Sequence, residues 1–243
     1  MKILNPSILA VLLPTLNEYE NLRILYPQIR AALPSATIIV VDDNSVDETR
    51  SYLSKMQNTD LKLHTILRPH RMGIGSAHMD GLRFAVAHNV DFVLTMDADQ
   101  THRLEDALAL VEEIKDHDLV IGSRYIQSRS IKGWSLPRLM LTHMGHFATS
   151  IFFRSDLDMS SGLRIYRART IPIENMEKNC ASDYEYFFTS AILYLKLRLR
   201  VSQVPVELNS RGFGKSKMTF SLMRRGTTRL FLYGLRLKRI ELI

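Results

Sequence analysis

The acidic pair Asp97 and Asp99 is the part of the sequence best suited to chemistry. Two carboxylates separated only by Ala98 offer oxygen ligands on one short turn, and oxygen is what a hard divalent cation such as Mg²⁺ or Mn²⁺ prefers. Such a cation can bridge two phosphates and neutralise the charge that develops on a leaving diphosphate. Taken alone, an Asp that ends a strand and caps the next helix is the simpler explanation, so the surroundings of the pair matter.

A second acidic pair, Asp42 and Asp43, follows a β-branched apolar run. A carboxylate at this position can accept a hydrogen bond from the ring N–H of a nucleobase. Asp43 and Ser45 are equally typical of turns and helix caps. Both interpretations stay open from these residues alone.

Two further segments carry cations suited to phosphate. Arg124 follows an apolar run, and Arg138 lies fourteen residues later. The guanidinium fork matches phosphate oxygens, although a solvated surface arginine is the common alternative. The segment 211–217 combines glycines, which let the backbone approach a ligand closely, with three cations. It predicts a loop that closes over phosphates, and its spacing is not that of a Walker A loop.

The elements that must position these residues alternate between strand and helix patterns. Strands are predicted at 8–13, 37–41, 61–67, 91–96 and 119–121, with helices beginning near 17, 45, 76 and 104. In the second half, a helix is predicted at 184–197 and a strand within 198–208. The alternation predicts an α/β fold with a mainly parallel, Rossmann-like sheet and helices on both faces.

Two details of this pattern concern the candidate site. Asn17 with Glu20, and Ser45 with Glu48, have the spacing of capping boxes for the first two helices. Ligands of such sheets bind beyond the carboxyl ends of the strands. The segments Pro14-Thr15, Asp42-Asp43 and Asp97-Ala98-Asp99 are all predicted to lie at that edge.

The composition is that of a globular protein, with 46% hydrophobic and 23% charged residues among 243. No eighteen consecutive residues are apolar, so no membrane-spanning helix is predicted. Cys180 is the single cysteine, which excludes an internal disulfide and fits a reducing, cytoplasmic setting.

The net charge of +7 is concentrated near the C-terminus. Nine basic residues and no acidic residue lie between Leu208 and Ile240, which leaves 23 basic against 25 acidic residues elsewhere. On a helical wheel, four arginines oppose an apolar stripe; these arginines are Arg225, Arg229, Arg236 and Arg239. This pattern predicts a helix at an anionic membrane surface, and a helix packed on the protein's own core is the alternative.

With these residues assembled, the chain resembles the inverting family 2 glycosyltransferases of GT-A fold. Within them it is most similar to dolichyl- and polyprenyl-phosphate mannose synthases and related polyprenyl-phosphate hexosyltransferases. The motifs that carry the resemblance lie at 14–18, 41–49, 73–77, 96–99, 122–125, 161–166, 204–206 and 211–217. The resemblance implies a catalytic domain at 1–217 and a basic, membrane-associated tail at 218–243.

The resemblance also implies roles for individual residues. The nucleoside would be held by Pro14, Asn17, Glu18 and Asp43. The metal and the donor diphosphate would be held by Asp97, Ala98 and Asp99, with Thr101 as a weaker third ligand. The acceptor phosphate would be held by Arg124 and Arg138, with Thr142 as a further candidate, and Arg211 and Lys217 would close over the donor.

The implied reaction is metal-dependent, inverting transfer of mannose or glucose from a nucleotide-sugar such as GDP-mannose or UDP-glucose to a polyprenyl phosphate. The expected location is peripheral, on the cytoplasmic face of a membrane. If the tail does not bind lipid, the expected partner is a membrane-anchoring subunit.

Two other classes of function remain open. An enzyme that glycosylates a sugar hydroxyl would need a carboxylate base, for which Asp158, Asp183 and Glu185 are the candidates. A non-catalytic nucleotide-sugar or nucleic-acid binding module is disfavoured by the intact Asp97 and Asp99 pair. The sequence lacks an aromatic and basic face or a known nucleic-acid motif, so no nucleic-acid partner is expected.

Overall fold

A computed structural model describes residues 9–127, 131, 136–180 and 182–214. Its strands are β1 Leu9–Thr15, β2 Thr37–Asp42, β3 Leu63–Leu67, β4 Phe92–Thr95, β5 Leu119–Ser123, β6 Arg164–Arg167 and β7 Val201–Pro205. They form one sheet in the order β3-β2-β1-β4-β6-β5-β7, in which β6 is antiparallel to both of its neighbours. The predicted mainly parallel sheet is confirmed.

Helices cover both faces of this sheet. They are α1 Tyr19–Ala32, α2 Thr49–Gln57, α3 Ile74–Ala87, α4 Leu104–Glu113, α5 Leu136–Phe153, α6 Ile173–Asn179 and α7 Glu185–Lys196. Buried side chains of α1, α2 and α4 pack in one hydrophobic cluster, and those of α3, α6 and α7 pack in another. None of the described helices is long and apolar enough to cross a membrane.

The central strand β1 shows how the sequence positions the site. All seven of its residues are buried, as expected of a strand covered on both faces. Its parallel register pairs Thr15 with Asp42, and the Asp43 N–H donates to the Thr15 carbonyl at 2.8 Å. The first and second strands therefore end side by side and deliver their polar residues to one edge.

Both predicted capping boxes are wrong. Asn17 has a φ of +51°, and its side chain accepts the Val46 N–H at 2.8 Å instead of capping α1. The Ser45 hydroxyl accepts the Asn17 N–H at 2.7 Å, and α2 begins only at Thr49. The two loops thus use their capping side chains to hold each other at the edge of the sheet.

The irregular second half contains elements that the sequence pattern did not predict. The strand β6 and the helices α5 and α6 were missed, whereas α7 and β7 fall inside the predicted 184–197 and 198–208 segments. The tail at 218–243 and Lys217 lie outside the described residues, so the predicted boundary at 217 stays a prediction.

Candidate active site

The carboxylates of Asp97 and Asp99 lie directly after β4, at the carboxyl edge of the sheet. The Asp97 side chain is 34% exposed and the Asp99 side chain 16% exposed, while Ala98 between them is buried. Asp97 lies against Gly162, where an added Cβ would stand 3.1 Å from its Oδ1. A side chain at this position would crowd the carboxylate, so glycine leaves room for the backbone of this neighbouring loop to come close to it.

Arg164 fixes that neighbouring loop. Its fully buried guanidinium donates to the carbonyls of Ser161 at 2.8 Å, Met159 at 2.9 Å and Phe187 at 2.7 Å. The Thr95 hydroxyl adds a bond of 2.9 Å to the Gly162 carbonyl. Because a buried charge is costly unless its donors are satisfied, these carbonyls define where the loop can lie.

Arg211 joins two of the predicted site carboxylates. Its Nη1 donates to Asp99 Oδ2 at 2.9 Å, its Nη2 to the buried Glu18, and its Nε to the Phe213 carbonyl at 2.7 Å. The structure thus brings together a residue predicted for the nucleoside, one predicted for the metal and one predicted to close over the donor. Arg211 places a positive charge beside Asp99, where a divalent cation is expected.

Asn21 holds the segment 209–214 over these carboxylates. Its side chain accepts the Phe213 N–H at 3.0 Å and the Gln100 amide at 3.1 Å, and donates to the Phe213 carbonyl at 3.2 Å and to Glu18 at 2.6 Å. An added Cβ at Gly212 would stand 2.9 Å from Asn21 Oδ1. Sequence reasoning missed Asn21, which follows the recognised 14–18 motif by three residues.

Thr101 and His102 complete the turn after the acidic pair. The Thr101 hydroxyl donates to Asp99 Oδ1 at 2.6 Å, so in this structure it orients the predicted ligand. His102 Nδ1 accepts the Asp97 N–H at 3.0 Å, which places the ring proton on Nε2, 3.8 Å from Asp97 Oδ2. His102 was not predicted as a site residue, although it stands in the same turn.

The residues present fit a divalent cation at Asp97. Among the described residues, none donates a hydrogen bond to its carboxylate. Desolvation raises the pKa of Asp97, the neighbouring His102 lowers it, and the nearby Asp99 and Glu18 carboxylates raise it further. Negative charge gathered in this way is what a bound cation relieves. No group of three or more His, Cys, Asp or Glu side chains forms a ready-made metal site within the described ranges, so further ligands would come from the diphosphate.

The predicted nucleoside residues surround the ends of β1 and β2. Pro14 is buried within β1, whereas Asn17 is exposed. Asp43 accepts hydrogen bonds from Arg68 Nη1 and the Met72 N–H, both at 2.8 Å, and from the Gly73 N–H at 3.0 Å. In this structure Asp43 therefore anchors the loop before α3, and its role toward a nucleobase stays a prediction.

Arg124 lies at the end of β5 and pairs with a carboxylate. Its Nε and Nη2 donate to the two oxygens of the fully buried Asp158, each at 2.7 Å. Burial works against both charges, but the pair outweighs it, so the pKa of Arg124 is raised and that of Asp158 is lowered. Among the described residues, nothing accepts a hydrogen bond from Arg124 Nη1, and its role toward a phosphate stays a prediction.

The remaining acceptor candidates lie on α5. The Thr142 carbonyl accepts a hydrogen bond of 3.4 Å from Tyr125, the neighbour of Arg124. Arg138 belongs to the same helix, and its side chain lies outside the described atoms. The helix therefore runs beside Arg124, as an acceptor subsite built from both would require.

Comparisons with known proteins agree with this architecture. The chain is 29% identical to the undecaprenyl-phosphate mannosyltransferase of Micrococcus luteus, across 92% of this chain and 93% of that protein. It is 27% identical to the polyprenol monophosphomannose synthase of Mycolicibacterium smegmatis, across 93% and 86% respectively. Glucosyl-3-phosphoglycerate synthase of Mycobacterium tuberculosis, crystallised with Mn²⁺ and UDP, superposes with a TM-score of 0.68 at 17% identity, over 93% of this chain and 78% of that one.

Most of the described residues match the model of one protein family. A profile described as "Glycosyl transferase family 2" matches residues 10–171, which contain β2 to β6, all of β1 except Leu9, and the acidic pair. The chain belongs to glycosyl transferase family 2 and is a glycosyltransferase of GT-A fold.

Proposed function

We propose that this glycosyltransferase transfers a hexose, most directly mannose, from a nucleotide-sugar to a polyprenyl phosphate. The observation that carries the proposal is the similarity to two enzymes whose names specify that product, over more than nine tenths of this chain. GDP-mannose and UDP-glucose are the donors to test first.

On the donor side, Asp97 and Asp99 would hold Mg²⁺ or Mn²⁺ together with the diphosphate. When bound there, the cation would neutralise the charge that develops on the leaving group. Arg211, which bridges Glu18 and Asp99 in this structure, would move its charge to a diphosphate oxygen. The segment 209–214 would then cover the donor and exclude water.

On the acceptor side, a phosphate monoester needs no general base. Its second pKa is about 6, so it is already nucleophilic and anionic at neutral pH. The site must align two anions and reduce their repulsion, and arginine suits that task. Arg124 directly follows β5 and Asp97 lies just after β4, and these two strands run in the same direction because β6 is antiparallel to both, which supports convergence of donor and acceptor at this edge. Direct displacement would invert the anomeric carbon and give a β-linked sugar phosphate from an α-linked donor.

The structure also bears on the alternative acceptor, a sugar hydroxyl. Asp158 is buried and paired with Arg124, and Glu185 is buried at the start of α7. Asp183 is the partly exposed member of the three base candidates. A hydroxyl acceptor would therefore require Asp183 as its base.

The test is a panel of radiolabelled nucleotide-sugars, each offered with polyprenyl phosphate, with the unphosphorylated polyprenol, and with no acceptor. The proposal expects label in the lipid phase only with the phosphate and only with a divalent cation. Label transferred equally to the polyprenol would reject the phosphate as the nucleophile.

The proposed acceptor also sets the location of the enzyme. A polyprenyl phosphate resides in a membrane, so the acceptor side of the site must meet the bilayer surface. We therefore propose peripheral association with the cytoplasmic face, by contacts of this chain or through an anchoring subunit.

A further inference from the structure

The side-chain amide of Asn21 makes as many hydrogen bonds as an asparagine amide can. Asn21 is 1% exposed and lies in the first turn of α1. Its Oδ1 accepts bonds from the Phe213 N–H and the Gln100 amide, and its Nδ2 donates to Glu18 and to the Phe213 carbonyl. An amide has two donor hydrogens and two acceptor lone pairs, so all four are used. A buried amide that is fully satisfied holds one orientation and fixes the groups that it contacts.

Phe213 is attached to Asn21 through its backbone. Asn21 bonds both the N–H and the carbonyl of this one residue, while the Phe213 side chain stays 45% exposed. On the preceding residue, Gly212, an added Cβ would stand 2.9 Å from Asn21 Oδ1 and 2.9 Å from Gln100 Nε2. The lack of a side chain at Gly212 therefore lets the segment 209–214 come within reach of the buried amide.

The same segment is also tied to the turn that carries the acidic pair. The Gly212 N–H donates to the Asp99 carbonyl at 3.1 Å, and the Asn209 N–H donates to the Thr101 carbonyl at 3.0 Å. Because Asn21 belongs to α1, its amide attaches the segment to a third element of the fold. The segment is thereby held in one position relative to the acidic turn.

Arg211 ties the segment down as well, but through charges that a donor would claim. Its side chain pairs with Asp99 and Glu18 and donates to the Phe213 carbonyl at 2.7 Å. Under the proposed function this guanidinium moves to a diphosphate oxygen, so these bonds are then lost. The two bonds between Asn21 and Phe213 join a neutral amide to the backbone, so a bound diphosphate leaves them in place.

We infer that Asn21 is a positioning residue, which keeps the segment 209–214 closed over the donor while Arg211 turns to the diphosphate. For the purpose of this closure the inference rests on the proposed function, in which the segment excludes water from the activated donor. Without the hold by Asn21, a water molecule would replace the acceptor phosphate. Its oxygen would bond to the anomeric carbon as the bond to the diphosphate breaks, its proton would pass to solvent, and free hexose and nucleoside diphosphate would be released.

Two variants test this hold from opposite sides. Asn21→Ala removes the buried amide, whereas Gly212→Ala keeps the amide and places a methyl group 2.9 Å from it. Asn179→Ala is the matched control. Asn179 is half-buried on α6, where its amide donates to a carbonyl of its own helix at 2.9 Å, and α6 packs in the other hydrophobic cluster.

Hydrogen exchange of the backbone amides, followed by mass spectrometry without nucleotide, measures the closure directly. The Phe213 amide should exchange about tenfold faster or more in both Asn21→Ala and Gly212→Ala, because the bonds that hold it are lost. Asn179→Ala should exchange like the wild type at this amide. Urea denaturation of each variant shows that the domain itself stays folded.

The activity measurement uses a nucleotide-sugar with polyprenyl phosphate and compares free hexose with hexose transferred to lipid. The ratio of free to transferred hexose should rise about tenfold in Asn21→Ala and Gly212→Ala and stay unchanged in Asn179→Ala. A residue with only a structural role would lower both reactions together and leave this ratio unchanged.

Two results would overturn the inference. Unchanged exchange of the Phe213 amide in both variants would show that Asn21 does not hold the segment, and faster exchange with an unchanged ratio would show that the hold does not protect the donor. If the wild type neither hydrolysed nor transferred any donor, the proposed function would fail. The exchange result would still decide whether Asn21 holds the segment.

Discussion

Arg211 donates a 2.9 Å hydrogen bond to Asp99 across 112 positions of the chain, and the same guanidinium reaches Glu18 on the far side of the site. A side-chain cation therefore sits beside the acidic pair that is proposed to hold a metal ion. The Arg211 guanidinium and a bound metal ion would compete for the Asp99 carboxylate. Removing Arg211 should therefore change the affinity of the site for the metal.

Replacing Arg211 with Ala should strengthen the binding of Mn²⁺ alone, because the competing guanidinium is removed from Asp99. The rate of hexose transfer should nevertheless fall by about 10²-fold or more, since the loop would lack the positive charge that is proposed to move to a diphosphate oxygen. Isothermal titration of Mn²⁺ without nucleotide measures the first effect, with Arg211→Lys as the charge-preserving control. Weaker Mn²⁺ binding in Arg211→Ala would show that Arg211 supports the cation site and does not compete with it.

The acceptor arginines should separate donor binding from acceptor use. Arg138→Ala is expected to raise the acceptor KM about tenfold or more while leaving nucleotide affinity unchanged. Arg124→Ala should likewise raise the acceptor KM without changing nucleotide affinity. It should also lower the stability of the protein, because it leaves the buried Asp158 carboxylate unpaired. Nucleotide affinity and acceptor KM are measured separately for each variant. Lost nucleotide binding with an unchanged acceptor KM would move both arginines to the donor side.

Much of this arrangement was predictable from the sequence because the relevant signals are local. The apolar runs that end at Pro14, Asp42 and Asp97 marked strand ends, and parallel strands bring such ends to one edge. The four-residue strand β6 gave no such signal, because only Ile165 and Tyr166 lie between its two terminal arginines.

The part that was not predictable depends on contacts distant in sequence. Asn21 meets Phe213 across 192 positions, and neither residue type indicates a site. The predicted capping boxes are wrong because the side chains of Asn17 and Ser45 each bond to the other's loop. These bonds form only where the folded sheet brings the two strand ends side by side.

His78 gives a pH test of the core beneath the site. It is fully buried, stacks on Tyr186 at 5.2 Å, and has no hydrogen-bond partner on either ring nitrogen among the described residues. Burial, with a smaller effect of the Arg164 charge, lowers its pKa to about 3. The folded protein therefore keeps His78 neutral while the unfolded chain takes up a proton below about pH 6.5, so stability is lost as the pH falls from there towards 3.

Replacing His78 with Leu should remove that loss. Between pH 7 and pH 5, the wild type should lose about 2 kcal/mol of unfolding free energy more than His78→Leu does. Urea denaturation at both pH values measures the difference, with His70→Gln, at an exposed loop histidine, as the control. Parallel pH profiles for the wild type and His78→Leu would mean that the buried ring titrates normally.

Asp183→Asn distinguishes the two acceptor classes. If the nucleophile is a phosphate, no base is needed, and turnover should fall by less than about tenfold. If the nucleophile is a hydroxyl, loss of the base should cost about 10²- to 10⁴-fold. Turnover at saturating donor and acceptor is the measurement, and a loss in the larger range would favour the hydroxyl acceptor.

The phosphorus NMR spectrum of the lipid product tests most directly whether the acidic pair activates a nucleotide-sugar toward a polyprenyl phosphate. The wild type with a divalent cation should convert the monoester signal into a phosphodiester signal bearing one β-linked hexose. Asp99→Ala, which removes a proposed metal ligand at the strand edge, should be folded and leave the monoester unchanged. A glycosylated lipid whose phosphate remains a monoester, or near-normal conversion by Asp99→Ala at saturating metal, would contradict the account.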